Sequence, residues 1–203
     1  DQQSKGVYGK DDRADYYKMN SAGRKIADAT VALITSSKLT LRGNKFHTKD
    51  TRPSSESASM CLSEPFSDQP LVANCSGVMI GDRFILTAGH CVKTTADCSQ
   101  TKIVFGFDAI SDSDIKTSFP ANNVYQCKQV LGWELDQEDE SGADWLIMEV
   151  DRPIRGRTAI PVRRQNEPNL KEKLIVTGHP SGLPKKITAG GEIVINNSSV
   201  FFT

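Results

Sequence analysis

A histidine that closes a run of small and apolar residues is the first feature with chemical content. The stretch Cys75-Ser-Gly-Val-Met-Ile-Gly-Asp-Arg-Phe-Ile-Leu-Thr-Ala-Gly-His90-Cys91 reads as strand, turn, strand and a second tight turn. Val78–Ile80 and Phe84–Thr87 flank Gly81-Asp82, a hairpin signature. An imidazole titrates near neutrality, so it can take a proton from a hydroxyl nucleophile and return it to a leaving group. Ala88 and Gly89 are small enough for the backbone to turn tightly and bring the ring of His90 into a cleft. A histidine without such surroundings would more often be a satisfied core residue. The second feature is Gly142-Ala-Asp144-Trp-Leu-Ile-Met-Glu-Val150, followed by Asp151-Arg-Pro153. It sets a carboxylate where a loop becomes an apolar strand. On its own that pattern usually marks a strand boundary.

Taken together, these segments resemble the chymotrypsin-like (trypsin-like) serine proteases. The familiar form around the catalytic histidine is Thr-Ala-Ala-His-Cys, and here Gly89 replaces one alanine. The Asp144 segment is similar to the family's Asp-Ile-Ala-Leu-Leu. The resemblance implies that His90 is the general base and acid. It implies that Asp144 is a buried carboxylate that accepts Nδ1–H, fixes the tautomer and stabilises the imidazolium. The two would face each other across a groove between two β-barrels. The resemblance also implies a Cys75–Cys91 bridge, sixteen positions long. It would contribute ~3 kcal/mol in the chain-entropy model and anchor the turn that holds the imidazole.

A narrower likeness points to bacterial glutamyl-endopeptidase-type enzymes. Thr177-Gly-His-Pro-Ser-Gly-Leu-Pro resembles their Gly-Tyr-Pro-x-Gly-x-Pro stretch, with His179 in place of tyrosine. Val7-Tyr-Gly-Lys-Asp-Asp-Arg13 looks like their mature start. That would make Val7 the mature N-terminus and Asp1–Gly6 a propeptide remnant, an ordinary arm being the alternative. A freed α-amine, with a pKa of ~7.7–8.0, is largely cationic at neutral pH and suits an acidic substrate side chain.

The nucleophile is the missing piece. Neither Gly-x-Ser-x-Gly nor Gly-Asn-Ser-Gly occurs. Ser76 reads as a strand serine and Ser181 as a turn serine. In the resembled enzymes the motif follows a strand that Asn196–Thr203 matches. The expectation is therefore a truncated or precursor form, inactive alone, whose serine lies beyond Thr203. Its second barrel would end on an apolar edge at Val200–Thr203, to be completed by a C-terminal fragment or extension. The alternative is a non-catalytic, protease-like binding module that kept the double barrel and lost the nucleophile.

These residues need a scaffold, and the chain can build one. It has 203 residues, 37% hydrophobic, enough for one large domain or two small fused cores. Lys and Arg number 25, as do Asp and Glu, so charge gives no pull toward nucleic acid, and protein or peptide substrates are the expected partners. No run approaches the ~20 apolar residues of a membrane span, and no signal peptide is visible at Asp1. Cysteines 61, 75, 91, 98 and 127 include no C-x-x-C pair, which speaks for a disulfide framework and a secreted or periplasmic protein. Free buried cysteines in a cytosolic protein are the alternative. Cys98 and Cys127 flank the strand Ile103–Phe107 and pair by position, leaving Cys61 odd. A zinc site drawn from His47, His90, His179 and cysteines is disfavoured by scattered spacing, and no metal or cofactor is expected. Asp136–Glu140 reads as a solvated acidic loop.

Residues 1–25 lack a sustained apolar period and read as an arm. Ala22–Asp28 suits a short helical turn. Strands follow at Thr30–Ser36, Val78–Ile80, Phe84–Thr87, Ile103–Phe107, Val124–Leu131, Trp145–Val150, Leu174–Gly178, Glu192–Ile195 and Val200–Phe202, with Leu39–Ser59 turn-rich. Short strands without intervening helices predict an all-β protein. Combined with the resemblance, they predict a chymotrypsin-like double six-stranded β-barrel. Residues 26–132 form the N-terminal barrel with the histidine, and 133–203 begin a second that is incomplete at the C-terminus.

Overall fold

Short apolar segments between Thr30 and Val150 turn one face inward, and six of them close on themselves; the run Thr30–Thr35 buries its other face as well. The structure, a computed structural model, describes residues 11–135 and 143–194. Its strands are β1 (Ala14–Asp15), β2 (Thr30–Thr35), β3 (Leu39–Arg42), β4 (Lys45–Thr48), β5 (Cys75–Met79), β6 (Phe84–Thr87), β7 (Thr101–Val104), β8 (Ser118–Pro120), β9 (Val124–Leu135), β10 (Asp144–Val150), β11 (Lys173–Gly178) and β12 (Lys186–Glu192). Three short helices are α1 (Ser21–Ala27), α2 (Ser54–Ser57) and α3 (Thr95–Gln100). The closed barrel runs β10-β6-β5-β2-β7-β9, and its strand pairs are antiparallel. Val31, Leu33, Ile85, Ile103, Phe105, Leu146 and Met148 fill its interior and are essentially inaccessible. Closure leaves this sheet without a free edge.

The expected domain boundary is corrected by this topology. β10 pairs with β6 on one side, Leu146 opposite Thr87, and with β9 on the other. The first barrel therefore runs to Val150 and does not end at 132. An apolar strand reads the same whichever barrel it completes; its hydrogen-bond partners decide.

The second sheet is open and three-stranded among the described residues, in the order β1-β12-β11. It stands where a second barrel is expected, and the described chain is mostly β. Residues 12–15 of the expected arm are tied into this sheet. Asp15 is buried with Lys186 and Gln69, Lys186 Nζ lying 2.5 Å from Asp15 Oδ1 and 2.6 Å from Gln69 Oε1. Asp12 accepts the amides of Ala189 and Gly190. A buried charge demands a partner, so Lys186 ties residues 12–15 to β12.

Other differences have local causes. β12 lies at Lys186–Glu192, and of the expected Glu192–Ile195 strand the described residues Ile193 and Val194 fall outside it: its glycines hide the strand from composition, while β11 and β1 supply its backbone partners. The stretch expected to be turn-rich holds β3 and β4, which pair with each other and then with β8. α3 is nucleated by a capping box between Thr94 and Asp97. Val7, Asp1–Gly6, Asp136–Glu140 and Val200–Phe202 lie outside the described residues.

Candidate active site

His90 sits on a single 3₁₀ turn, Gly89–Cys91, directly after β6. Thr87 Oγ1 donates to the Ser76 carbonyl across the hairpin at 2.7 Å, and the Cys91 amide closes the turn on Ala88. A disulfide joins Cys91 to Cys75 at the start of β5, with Cα atoms 6.1 Å apart. The histidine is thus held by strand pairing before it and by a covalent tie just after it.

Asp144 is the first residue of β10, opposite Leu135. Its Oδ2 lies 2.6 Å from His90 Nδ1, and its Oδ1 accepts the His90 backbone amide at 2.9 Å. One carboxylate therefore holds the ring and its own main chain, which fixes both tilt and tautomer. With Nδ1 donating, Nε2 is the free basic position. Partial burial opposes ionisation of Asp144. The hydrogen bonds from the His90 ring, the His90 amide and the Gly89 amide outweigh it and hold the carboxyl below the usual aspartate range.

Two expectations about this pair are corrected. The residues do not face each other from two barrels, because β6 and β10 are neighbours in one. Nor is Asp144 buried: 34% of its side chain and 52% of the His90 side chain are exposed, as suits a strand end at the barrel rim.

The serines are elsewhere. Ser76 Oγ accepts the His179 amide at 2.7 Å, which commits it to the junction of β5 and β11. Ser181 lies in the Pro180–Gly182 turn with φ of 54°. Among the described residues no serine hydrogen-bonds the His90 ring. His179 is buried, stacked on Phe107 with ring centroids 5.6 Å apart, and its Nδ1 lies 3.0 Å from the Leu183 carbonyl. Burial, reinforced by Lys185, pushes its pKa down to about 3, so it stays neutral. His47 sits on β4 between Thr40 and Ser118.

The scattered three-histidine zinc set is thereby dispersed. Among the described residues, the grouping of three that could ligate a metal is Cys75, His90 and Cys91, with ligand atoms within 4.8 Å of one another. In the sequence these three residues share one motif, whose spacing is not that of a zinc site. A second bridge joins Cys98 on α3 to Cys127 on β9, and Cys61 is free and exposed. The wall behind Gly89, formed by the Glu134 carbonyl, carries no sequence signal at all.

Known proteins share this fold. Solved structures that superpose on the chain include a Glu endopeptidase in complex with MPD, at 14% identity and a TM-score of 0.52, covering 95% of this chain and 73% of the other. They also include the VesB protease of Vibrio cholerae, at 16% identity and a TM-score of 0.51, covering 90% of this chain and 44% of the other. At these identities the likeness is one of fold. No curated protein sequence matches the chain significantly. A family model described as Trypsin matches residues 51–194, a span that contains His90, Asp144 and both bridges. The chain belongs to the trypsin family.

Proposed function

We propose that this chain supplies the acid–base half of a serine endopeptidase. His90 takes the hydroxyl proton of a serine through Nε2 and delivers it to the leaving amine. Asp144 keeps Nδ1 protonated and stabilises the imidazolium. The observation that carries this reading is the 2.6 Å contact between His90 Nδ1 and Asp144 Oδ2. The nucleophilic serine belongs to sequence outside the 203 residues, since no Gly-x-Ser-x-Gly occurs within them. Residues 1–203 alone are inactive on this reading, and a C-terminal extension or fragment completes the second barrel. Two disulfides support a secreted or periplasmic enzyme acting on proteins and peptides.

A serine-directed fluorophosphonate tests this. A longer product that carries the serine becomes labelled, its His90→Ala variant does not, and residues 1–203 alone neither label nor turn over a peptide. Turnover by the 203-residue chain would overturn the placement of the serine. A longer product that stays unlabelled would favour a binding module.

A further inference from the structure

The Cys75–Cys91 bridge and His90 together form a cluster that the proposed reaction only half uses. We propose that reduction of this bridge creates a site for a borderline or soft divalent cation such as Zn²⁺, held by Cys75, Cys91 and His90. The ligand atoms of these residues already lie within 4.8 Å of one another. A tetrahedral zinc, with Zn–S about 2.3 Å and Zn–N about 2.0–2.1 Å, needs S···S of about 3.8 Å and S···N of about 3.5 Å. The two sulfurs, bonded in the bridge, must part by roughly 1.8 Å, a movement that rotation of the two side chains supplies with the Cα atoms 6.1 Å apart. Three protein ligands leave one position for water.

The step balances. A dithiol gives two electrons to the bridge: the sulfur–sulfur bond breaks, the dithiol leaves as its own disulfide, and its two protons pass to Cys75 and Cys91. The cation then displaces one proton from each thiol. With the bridge open, strand pairing still holds the elements on either side of the site. Cys75 stays paired with Leu33, and the turn that carries Cys91 follows β6, itself paired with β5 and β10. Access is also selective. His90 is exposed and both its cysteine neighbours are half-buried, whereas Cys98 and Cys127 are each only 4% exposed. A cation on the imidazole removes it from proton transfer. This consequence rests on the peptidase reading, but the binding does not.

Titration of Co²⁺ into the whole chain, with and without a phosphine reductant, provides the test; the phosphine is oxidised to its oxide with oxygen from water. The reduced chain takes up one equivalent with thiolate charge-transfer and tetrahedral d–d absorption, and Zn²⁺ bleaches both. The oxidised chain shows neither. His90→Ala weakens binding beyond the ~10–100-fold that loss of a supporting group costs. Absence of charge-transfer absorption after reduction would overturn the proposal. So would unchanged affinity in His90→Ala, which would put the metal on other thiols, or loss of near-UV circular dichroism on reduction, since the site requires a folded barrel. Failure of fluorophosphonate labelling would sink the peptidase reading and leave this site standing.

Discussion

Where a Cβ would stand on Gly89, the carbonyl oxygen of Glu134 lies 2.5 Å away, with Asp144 Oδ1 at 3.2 Å. β9 thus presses its main chain against the turn that carries the candidate base. A backbone carbonyl in a paired strand cannot swing aside as a side chain can. Gly89→Ala should therefore cost about 1–3 kcal/mol through overpacking. At about 2–4 °C per kcal/mol for a chain of this size, the melting temperature should fall by several degrees. The same shift should pull the His90 amide away from Asp144. Thermal unfolding followed by circular dichroism checks it, and an unchanged midpoint would mean that the turn relaxes freely.

Asp144→Asn should lower kcat of the serine-bearing enzyme by about 10⁴, the size of this substitution in a Ser-His-Asp triad. The amide nitrogen of asparagine offers Nδ1 a donor, which favours the wrong tautomer. KM should move little, because the lost interaction acts in the transition state. Steady-state kinetics decide the matter; activity within about tenfold of the parent would remove Asp144 from the proposed role.

Lys186→Met should destabilise the protein by about 3–5 kcal/mol, because it strands Asp15 as a buried, uncompensated charge. Gln69 donates only a neutral amide to that carboxylate. Adding Asp15→Leu should recover much of the loss. Urea midpoints of the single and double variants measure this, and a double variant no more stable than the single one would contradict it.

His179 gives stability a pH dependence with a definite sign. Its folded pKa, about 3, lies below its unfolded value near 6.5. The unfolded chain therefore binds a proton that the folded chain refuses as pH falls below 6.5. The stability contribution is complete above that value and is lost progressively between about pH 6.5 and 3, on the order of a few kcal/mol in total. His179→Phe keeps the stacking on Phe107 and removes the titration, so its melting temperature should fall less between pH 7 and 4 than that of the parent. Parallel slopes for the two proteins would count against the assignment.

The legible part of this protein was the part written in contiguous residues. His90 stood out because Cys75, Leu86-Thr-Ala88 and Cys91 surround it in one hairpin, and the hairpin is local. The all-β class followed from short β-branched runs whose core positions, such as Val31 and Ile103, are now inaccessible, and the six-stranded barrel from the family resemblance. What escaped depends on pairing at long range. β12 holds Gly190 and Gly191 and becomes a strand through β11 and β1. Asp15 looks like any acidic residue in a polar arm until Lys186, 171 positions on, meets it in the interior. The barrel to which β10 belongs was likewise invisible, since Trp145-Leu-Ile-Met carries no label for its neighbours.

In the proposed enzyme, a base and its orienting acid that share one closed sheet acquire their mutual geometry once, when the sheet forms, and keep it through every later encounter. A hydroxyl arriving from elsewhere in the polypeptide must align with a single nitrogen rather than assemble three groups, so less orientational freedom remains to be lost at the moment of reaction. Chemistry would then be gated by how often the serine-bearing element docks, and loosening that contact would silence turnover while leaving the imidazole and its carboxylate untouched.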